Sequence, residues 1–293
     1  MNYQQDVRRS LDYIEEHIKE NLSAEVIANR AGYSVFHFCR IFKAEQQITL
    51  MDYIRKRRLS LARQQLLTDE KIIEIAINYG YDTASGFTKA FHKEFGYSPS
   101  KYLARMKFYV PITSYNIEGG TMEPTIVKKP AFKVAGYGIK TNIEGSFTKD
   151  IAAYWTNYSG ENLETKMYDQ LKPPKHGEVG VCITSPDEKN VTYLLGVIVN
   201  DFSKATADMM TVRVPAATYA FFTSPPADNS DYGGDALGKS IRDTWKYIFE
   251  EWFEKSGYVF DESKVDYEFY DERCHFLKDS VMEIYIPVKK KTR

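Results

Sequence analysis

A chain of 293 residues is long enough for two domains, each burying its own core. Its three cysteines, Cys39, Cys182 and Cys274, are scattered and odd in number, which excludes a disulfide framework and suits a reducing cytosol. The formal charge of −1 hides an asymmetry: residues 1–107 hold 17 Lys and Arg against 13 Asp and Glu, and residues 108–293 hold 22 against 27. A basic first part and an acidic second part fit a nucleic-acid binder joined to something that is not one. No run approaches eighteen apolar residues and the first thirty residues are charged and helical, so we expect no transmembrane helix, no signal peptide, no membrane partner and a cytoplasmic protein. Cys274-His275 has no second soft pair at metal spacing, so no metal site and no cofactor are expected.

In chain order, Val7, Leu11, Ile14, Ile18 and Leu22 recur at spacings of three and four and predict an amphipathic helix over 4–21. Ser23 caps a helix over 24–31 that Gly32 ends, and Ser34 caps the next, over 35–46. Leu50 to Leu67 reads as one helix of about 27 Å at 1.5 Å per residue, with Leu50, Ile54, Ala62 and Leu66 as its apolar stripe. Two recognition helices on one face of DNA must lie about 34 Å apart, and a helix of this kind sets such a distance. Ile72, Ile73, Ile75, Ala76 and Tyr79 form another helical stripe. Gly80 allows a turn, Asp82 or Thr83 caps a second helix, and Phe87, Ala90, Phe91 and Phe95 line one face of it up to Gly96 and Pro99. This is the outline of a helix-turn-helix.

The outline occurs twice. Ile27-Ala28 and Gly32-Tyr33 repeat as Ile75-Ala76 and Gly80-Tyr81, then Phe38, Arg40, Phe42 and Glu45 repeat as Phe87, Lys89, Phe91 and Glu94. Spacing alone leaves a plain α-hairpin repeat open. The residues decide: IAINYGYDTASGFTKAFHKEFGYSPSKYL resembles the signature of AraC/XylS-type transcription regulators. GYSVFHFCRIFK and YIRKRRLSLARQQLL resemble that family's first recognition helix and linker helix. The resemblance covers residues 5–107 and implies an all-α DNA-binding domain of two helix-turn-helix units over 1–107.

Residues 108–122, FYVPITSYNIEGGTM, lose the helical period and read as a linker. Beyond it alternation predicts strands at 123–129, 131–141, 178–185, 192–200, 208–214, 216–223, 265–271 and 281–288, with helices at 147–157 and 235–256. Val127, Pro130-Ala131 and Ala135 recur as Val212, Pro215-Ala216 and Ala220, so we expect two βαββ-like repeats in a pseudo-twofold α+β domain over 123–293. KKPAFKVAGYGIKT, IAAYWTNY, DYEFYDE and MEIYIPVK resemble the GyrI-like effector-binding domain, found fused to AraC-type domains in Rob-like regulators.

In the first recognition helix, Val35, Phe36, His37, Cys39 and Arg40 face away from the packed stripe of Phe38, Ile41 and Phe42. An arginine there can read guanine O6 and N7, worth about 1–3 kcal/mol of discrimination. A solvated or phosphate-touching Arg40 is the plain alternative, and for His37 it has equal standing. The resemblance implies that Arg40 is the base-contacting arginine, Phe36 its aromatic neighbour, and Lys89 a base- or phosphate-contacting position. The second recognition helix otherwise presents Thr83, Ala84, Ser85 and Gly86, smaller than the family's usual side chains, which argues against strong direct readout there. Arg58 falls on the apolar stripe and predicts a structural salt bridge. Arg55 and Arg57 point more outward, where phosphate contact and a solvated face are both open.

In the second domain Tyr154, Trp155, Tyr158, Tyr219, Phe221, Trp245 and Tyr270 are aromatics that either line a ligand site or simply fill the core. Glu268 and Glu283 sit mid-strand among apolar residues, where a carboxylate is costly unless paired, so each is a candidate anchor for a cationic ligand. The resemblance implies that Glu268 is the central-cavity glutamate. Together these readings predict a regulator, an activator by expectation, with four further features. It binds double-stranded promoter DNA as a monomer, contacts RNA polymerase, takes a small organic effector (a drug-like cation among the options), and has no catalytic residue. The alternatives are a GyrI-like small-molecule hydrolase, which turnover lost in Glu268→Gln would reveal, and a drug-sequestering protein indifferent to Arg40→Ala.

Overall fold

The structure is a computed structural model in which residues 3–108, 122–185, 189–228, 230, 236–275 and 278–291 are described. The chain forms two compact units that divide between Glu94 and Phe95. None of the described helices is long and apolar enough to cross a membrane.

The first unit is helical: α1 (Tyr3–Glu16), α2 (Ala24–Arg30), α3 (Val35–Gln46), α4 (Leu50–Gln65), α5 (Ile72–Asn78) and α6 (Ala84–Phe95), the last ending one residue into the second unit. Hydroxyl caps set four of the starts. Ser23, Ser34, Thr49 and Thr83 accept hydrogen bonds from the backbone N–H of Val26, His37, Asp52 and Gly86. Gly32 and Gly80 turn the chain at φ 76° and 81°, the left-handed region that costs an L side chain. Val7, Ile14, Ile27, Phe38, Phe42 and Ile54 close one core among α1 to α4. In α5 and α6, Ile72, Ile75, Ala76, Phe87 and Phe91 are buried.

Helix α1 stops at Glu16, short of the expected end at residue 21. The Ile18 and Glu20 carbonyls beyond it instead accept hydrogen bonds from Arg58 of α4, at 2.9 Å from Nε and 2.6 Å from Nη2. Arg58 is structural, as its place on the apolar stripe predicts. The groups that hold it correct one detail: they are backbone carbonyls at a helix end, left without intrahelical donors, and not a carboxylate.

The second unit opens with α7 (Pro99–Phe108). The linker expected at 108–122 lies, except at its two ends, outside the described residues. Then come β1 (Thr125–Lys129), β2 (Phe132–Asn142), α8 (Phe147–Gly160), α9 (Leu163–Leu171), β3 (Glu178–Thr184), β4 (Asn190–Val199), β5 (Met210–Val214), β6 (Ala217–Thr223), α10 (Ala236–Tyr247), β7 (Tyr258–Phe260), β8 (Tyr267–Tyr270) and β9 (Glu283–Lys290). The eight expected strands are present to within a few residues at their ends. Helix α9 and strand β7 were not expected, although Leu163, Met167 and Leu171 carry the i, i+4, i+8 spacing of a buried helical stripe. The helix expected over 235–256 is interrupted: α10 gives way to a π-helical turn, Ile248–Trp252.

The strands form one antiparallel sheet in the order β1-β6-β9-β8-β3-β4-β2-β5, with β7 added on β9. Paired residues share a face, so the registers sort the side chains. Gly180 pairs Leu195 and Glu268, and Glu268 pairs Ile284. These residues therefore share one face with Glu178, Cys182, Tyr193 and Tyr270. Tyr267, Phe269, Tyr285, Glu283, Tyr219 and Phe221 stand on the other. The first face is the one that α8, α9 and α10 cover: Tyr154 meets Tyr193, Met167 and Leu171 join Ala135 and Val197, and Trp245 reaches Glu268.

Candidate functional site

The helix α3 presents its polar and aromatic side chains as the sequence predicts. Phe38 and Phe42 are wholly buried, whereas Phe36 is 74% exposed and His37 and Arg40 are exposed beside it. An exposed phenylalanine of that degree in a helix otherwise packed on one side is not a folding requirement. Phe36 and Arg40, one turn apart, hold a cation–π contact with the guanidinium 5.7 Å from the ring centre. His37 lies against Tyr33 and Tyr3, with ring centres 5.4 Å and 6.0 Å away. Val35 and Cys39 are half-buried at the margin of this surface.

On α6, Ser85, Gly86 and Lys89 are exposed and Ala84 is half-buried. Thr83 is engaged as the cap, accepting from the Gly86 N–H at 3.0 Å, so its hydroxyl serves the helix start. The basic run of α4 is committed within the unit. Arg55 pairs with Asp52 at 3.0 Å and Glu94 at 3.4 Å, Lys56 with Glu94 at 3.0 Å, and Arg57 with Glu15 at 2.7 Å. Arg55 and Arg57, expected to point outward, are half-buried and already neutralised.

In the second unit, Glu268 is 3% exposed at the centre of the helix-covered face. Its Oε1 accepts from the Trp245 indole N–H at 2.7 Å and its Oε2 from the Tyr270 hydroxyl at 2.9 Å. Neutral donors of this kind lower the cost of burying the carboxylate. Opposite it stands Gly180, where a Cβ would come within 3.1 Å of Glu268 Oε2 and 3.3 Å of the Tyr193 hydroxyl. The glycine therefore lets the Glu268 carboxylate, the Tyr193 hydroxyl and the Tyr270 ring pack directly over the strand. Tyr154 and Trp155 of α8 stand over Tyr193, with ring centres 5.5 Å and 5.9 Å from it. Burial raises the pKa of the Tyr154 and Tyr193 phenols well above the ordinary value, so both are neutral donors at physiological pH. A surface depression of about 600 Å³ lies on the outer side of Tyr154, lined also by Tyr137, Asn157, Glu161 and Asp208.

Five of the eight residues expected around one ligand thus come together: Glu268, Tyr270, Trp245, Tyr154 and Trp155. The other three do not join them. Tyr219 and Phe221 stack with Tyr267 and Tyr285 on the opposite face, where Tyr219 donates to the Val265 carbonyl. Glu283 is on that opposite face too, ion-paired with Arg273 at 2.6 Å and accepting from the Tyr285 hydroxyl. Its carboxylate already has a cation.

The helix α7 meets the Glu268 face, which sequence reasoning missed. Arg105 is 3% exposed. Its Nε bonds Asp266 Oδ2 at 2.6 Å, Nη2 donates to the Cys182 carbonyl at 3.2 Å, and the guanidinium lies 5.1 Å from the Trp245 ring centre. Lys101 adds a second cation 3.5 Å from Asp266. Asp266 itself is fully buried, two residues before Glu268 on the same face. Tyr97 donates to the Phe249 carbonyl within the π-helical turn, and Tyr102 donates to Glu250 at 3.1 Å. The sequence does place an acid, Asp266, in a strand rich in aromatics, and its partners Lys101 and Arg105 lie in a segment read as the end of the first domain.

With this geometry in view, comparison with known proteins is direct. Residues 27–105 match the family of helix-turn-helix domains of the AraC type, and residues 125–288 match the integron-associated effector binding proteins. The chain belongs to the AraC-type helix-turn-helix regulators that carry a C-terminal domain of the integron-associated effector binding family. It is 38% identical over 107 residues to the regulatory protein SoxS of Salmonella typhimurium, a match spanning 36% of this chain and 100% of that one. It is 40% identical over 108 residues to YbfP, an HTH-type transcriptional regulator of Bacillus subtilis, of whose length the match spans 37%. A solved structure, SAV2435 bound to tetraphenylphosphonium, is similar over 57% of this chain and 94% of that one, at 17% identity and a TM-score of 0.46. The match to helix-turn-helix domains includes α7 as far as Arg105, so the helix that pairs with Asp266 belongs by sequence to the helix-turn-helix half.

Proposed function

We propose that this is a one-component transcription activator in which a small organic cation, bound over Glu268, adjusts promoter binding. In this reading α2–α3 and α5–α6 are two helix-turn-helix units joined by α4, and the chain engages one face of the promoter as a monomer and contacts RNA polymerase. Helix α3 is the reader, with Arg40 reaching a guanine edge and Phe36 beside it. Helix α6 is the clamp, with small side chains close to the backbone and Lys89 reaching phosphate. The second domain is two βαββ-like repeats. A sheet order in which β1 lies beside β6 and β5 beside β2 supports this, because each half lends its first strand to the other.

The observation that carries the reading is the contact chain from Glu268 through Trp245 to Arg105. A cation seated at Glu268 competes with the indole N–H for the carboxylate. Trp245 also stacks under Arg105, so a shift of the indole is felt by α7, within the matched DNA-binding segment. An effector can change DNA affinity only by interacting differently with two states of the protein, and this chain of contacts gives it a place to do so.

Selection of genomic fragments by the full chain, followed by anisotropy titration at fixed moderate salt, tests the DNA half. Arg40→Ala should weaken the selected fragment by about 10–100-fold while leaving random-sequence binding and thermal stability nearly unchanged, because the side chain is exposed. No sequence preference in the wild-type chain would overturn the reading.

A further inference from the structure

A depression of about 410 Å³ opens where the start of α7, the end of β3 and the segment between β7 and β8 meet. All of these lie in the second unit. A volume of this order suits a small molecule. The charged side chains of its lining are Lys101, Lys264 and one acid, Glu262. Glu262 is already engaged: its Oε1 accepts from the Ser98 N–H at 2.9 Å, at the residue that precedes α7. The start of this helix therefore holds a carboxylate supplied by the chain itself, as its dipole and terminal N–H groups favour.

Other groups of the lining lack an acceptor. Lys101 is 8% exposed, with its ammonium 3.5 Å from Asp266 Oδ1 and 5.0 Å from the centre of the Phe260 ring. A strong charge-assisted bond is about 2.7–2.9 Å long, and an ammonium has three N–H donors, so Lys101 keeps donor capacity. Asp266 serves a second cation as well, because Arg105 holds its Oδ2 at 2.6 Å. The next acid on that face, Glu268, is bonded to Trp245 and Tyr270. Lys264 is half-buried and has no ion pair among the described residues. The Thr184 hydroxyl is buried with no hydrogen-bond partner among the described residues. Native proteins rarely keep such a group without a reason.

Charge and donor geometry together set the class of ligand. A cation here meets two ammonium groups, and a neutral molecule leaves Lys264 without a counter-ion. An anion with several acceptor oxygens answers Lys264, Lys101 and Thr184 at once. A planar carboxylate is matched best by a guanidinium fork, and the nearby one, Arg105, is taken by Asp266 and the Cys182 carbonyl. Ammonium point charges with a hydroxyl suit a tetrahedral oxyanion instead. We infer that this depression is a binding site for a small phosphate monoester, its phosphate on Lys264, Lys101 and Thr184 and its organic part against Ile183 and Val265. The site does not depend on the reading of Glu268 as a cation site. Because Lys101 also pairs with Asp266, a bound phosphate draws on the same ion cluster that holds Arg105.

Calorimetric titration of the full chain with glycerol 2-phosphate, acetate and glycerol tests this, at an ionic strength held constant with sodium chloride. The wild type should bind glycerol 2-phosphate at least about tenfold more tightly than acetate and show no heat with glycerol. Lys264→Met removes a charge that has no ion pair, so it should weaken glycerol 2-phosphate at least about tenfold and leave the thermal unfolding temperature unchanged. Glu262→Gln removes the one acid of the lining, and its amide oxygen still accepts from the Ser98 N–H, so affinity should rise several-fold. The opposite signs of these two variants separate a charge-reading site from loss of folding. Absence of glycerol 2-phosphate binding in the wild type, or an unchanged affinity in Lys264→Met or in Glu262→Gln, would overturn the site. Acetate bound as tightly as the phosphate would overturn the class of ligand.

Discussion

Arg58 and Gly80 show how one residue pair fixes the second turn of the DNA-binding half. Gly80 has φ 81°, and a Cβ built there would stand 2.8 Å from Arg58 Nη1. That guanidinium is held by the Ile18 and Glu20 carbonyls and has little room to move away. Gly80→Ala therefore combines backbone strain with a clash against an anchored group, and about 1–3 kcal/mol of destabilisation is expected. By contrast Gly32, with φ 76°, has no atom within 4 Å of its hypothetical Cβ, so Gly32→Ala should carry the strain alone. Thermal unfolding of the two variants, with the larger drop in Gly80→Ala, checks this, and equal drops would remove the Arg58 contribution. On the same half, Phe36 and Arg40 are exposed where the fold gains nothing from them, which is the pattern of residues kept for contact with another molecule.

Helix α7 is the element whose role changes most between sequence and structure. The run SPSKYL looks like the close of a helix-turn-helix signature, and Arg105 and Lys101 look like two more basic residues of a DNA-binding domain. Both cations are instead buried against Asp266, and α7 further bonds the π-helical turn through Tyr102, with Tyr97 just before the helix bonding the same turn. Such turns recur at functional positions, and this one comes directly after the helix that carries Trp245. Arg105→Met strands the Asp266 carboxylate with Lys101 as its one remaining ion-pair partner among the described residues, and a loss of about 3–5 kcal/mol is expected in chemical unfolding of the second unit. Adding Asp266→Leu should recover a large part of it, because the cost lies in the unpaired charge. A double variant no more stable than the single one would show that Arg105 acts through packing on Trp245.

At the scale of the whole molecule, local signals carried most of the architecture. Serine and threonine caps, glycine turns and the switch from helical to alternating period located the six helices of the first unit and the eight longer strands of the second. What one strand cannot reveal is which of its faces meets which face of another. Glu268 and Glu283 both read as carboxylates in apolar strands, and only the pairing of Phe269 with Glu283 puts them on opposite sides of the sheet. Tyr219 and Phe221 were misplaced for the same reason. Glu178 was legible in principle, since Glu178, Gly180 and Cys182 alternate with Val179 and Val181, but a glutamate at a strand start ordinarily faces water. The ties of Arg105 to Cys182 and Asp266 span 77 and 161 residues, beyond the reach of any periodicity.

The central claim is that the Glu268 face and DNA binding are linked through Arg105. The most direct measurement is the affinity of the full chain for its selected genomic fragment, with and without a saturating small organic cation, benzylamine, in the wild type and in Arg105→Lys. Lysine keeps a cation for Asp266 but loses the planar fork that also reaches the Cys182 carbonyl and stacks on Trp245. The expected result is that the cation changes wild-type DNA affinity by at least about fivefold, the lower end of ordinary allosteric coupling. In Arg105→Lys both ligands should still bind and that change should shrink toward none. A wild-type affinity indifferent to the cation, or an Arg105→Lys chain that responds as the wild type does, would contradict the link.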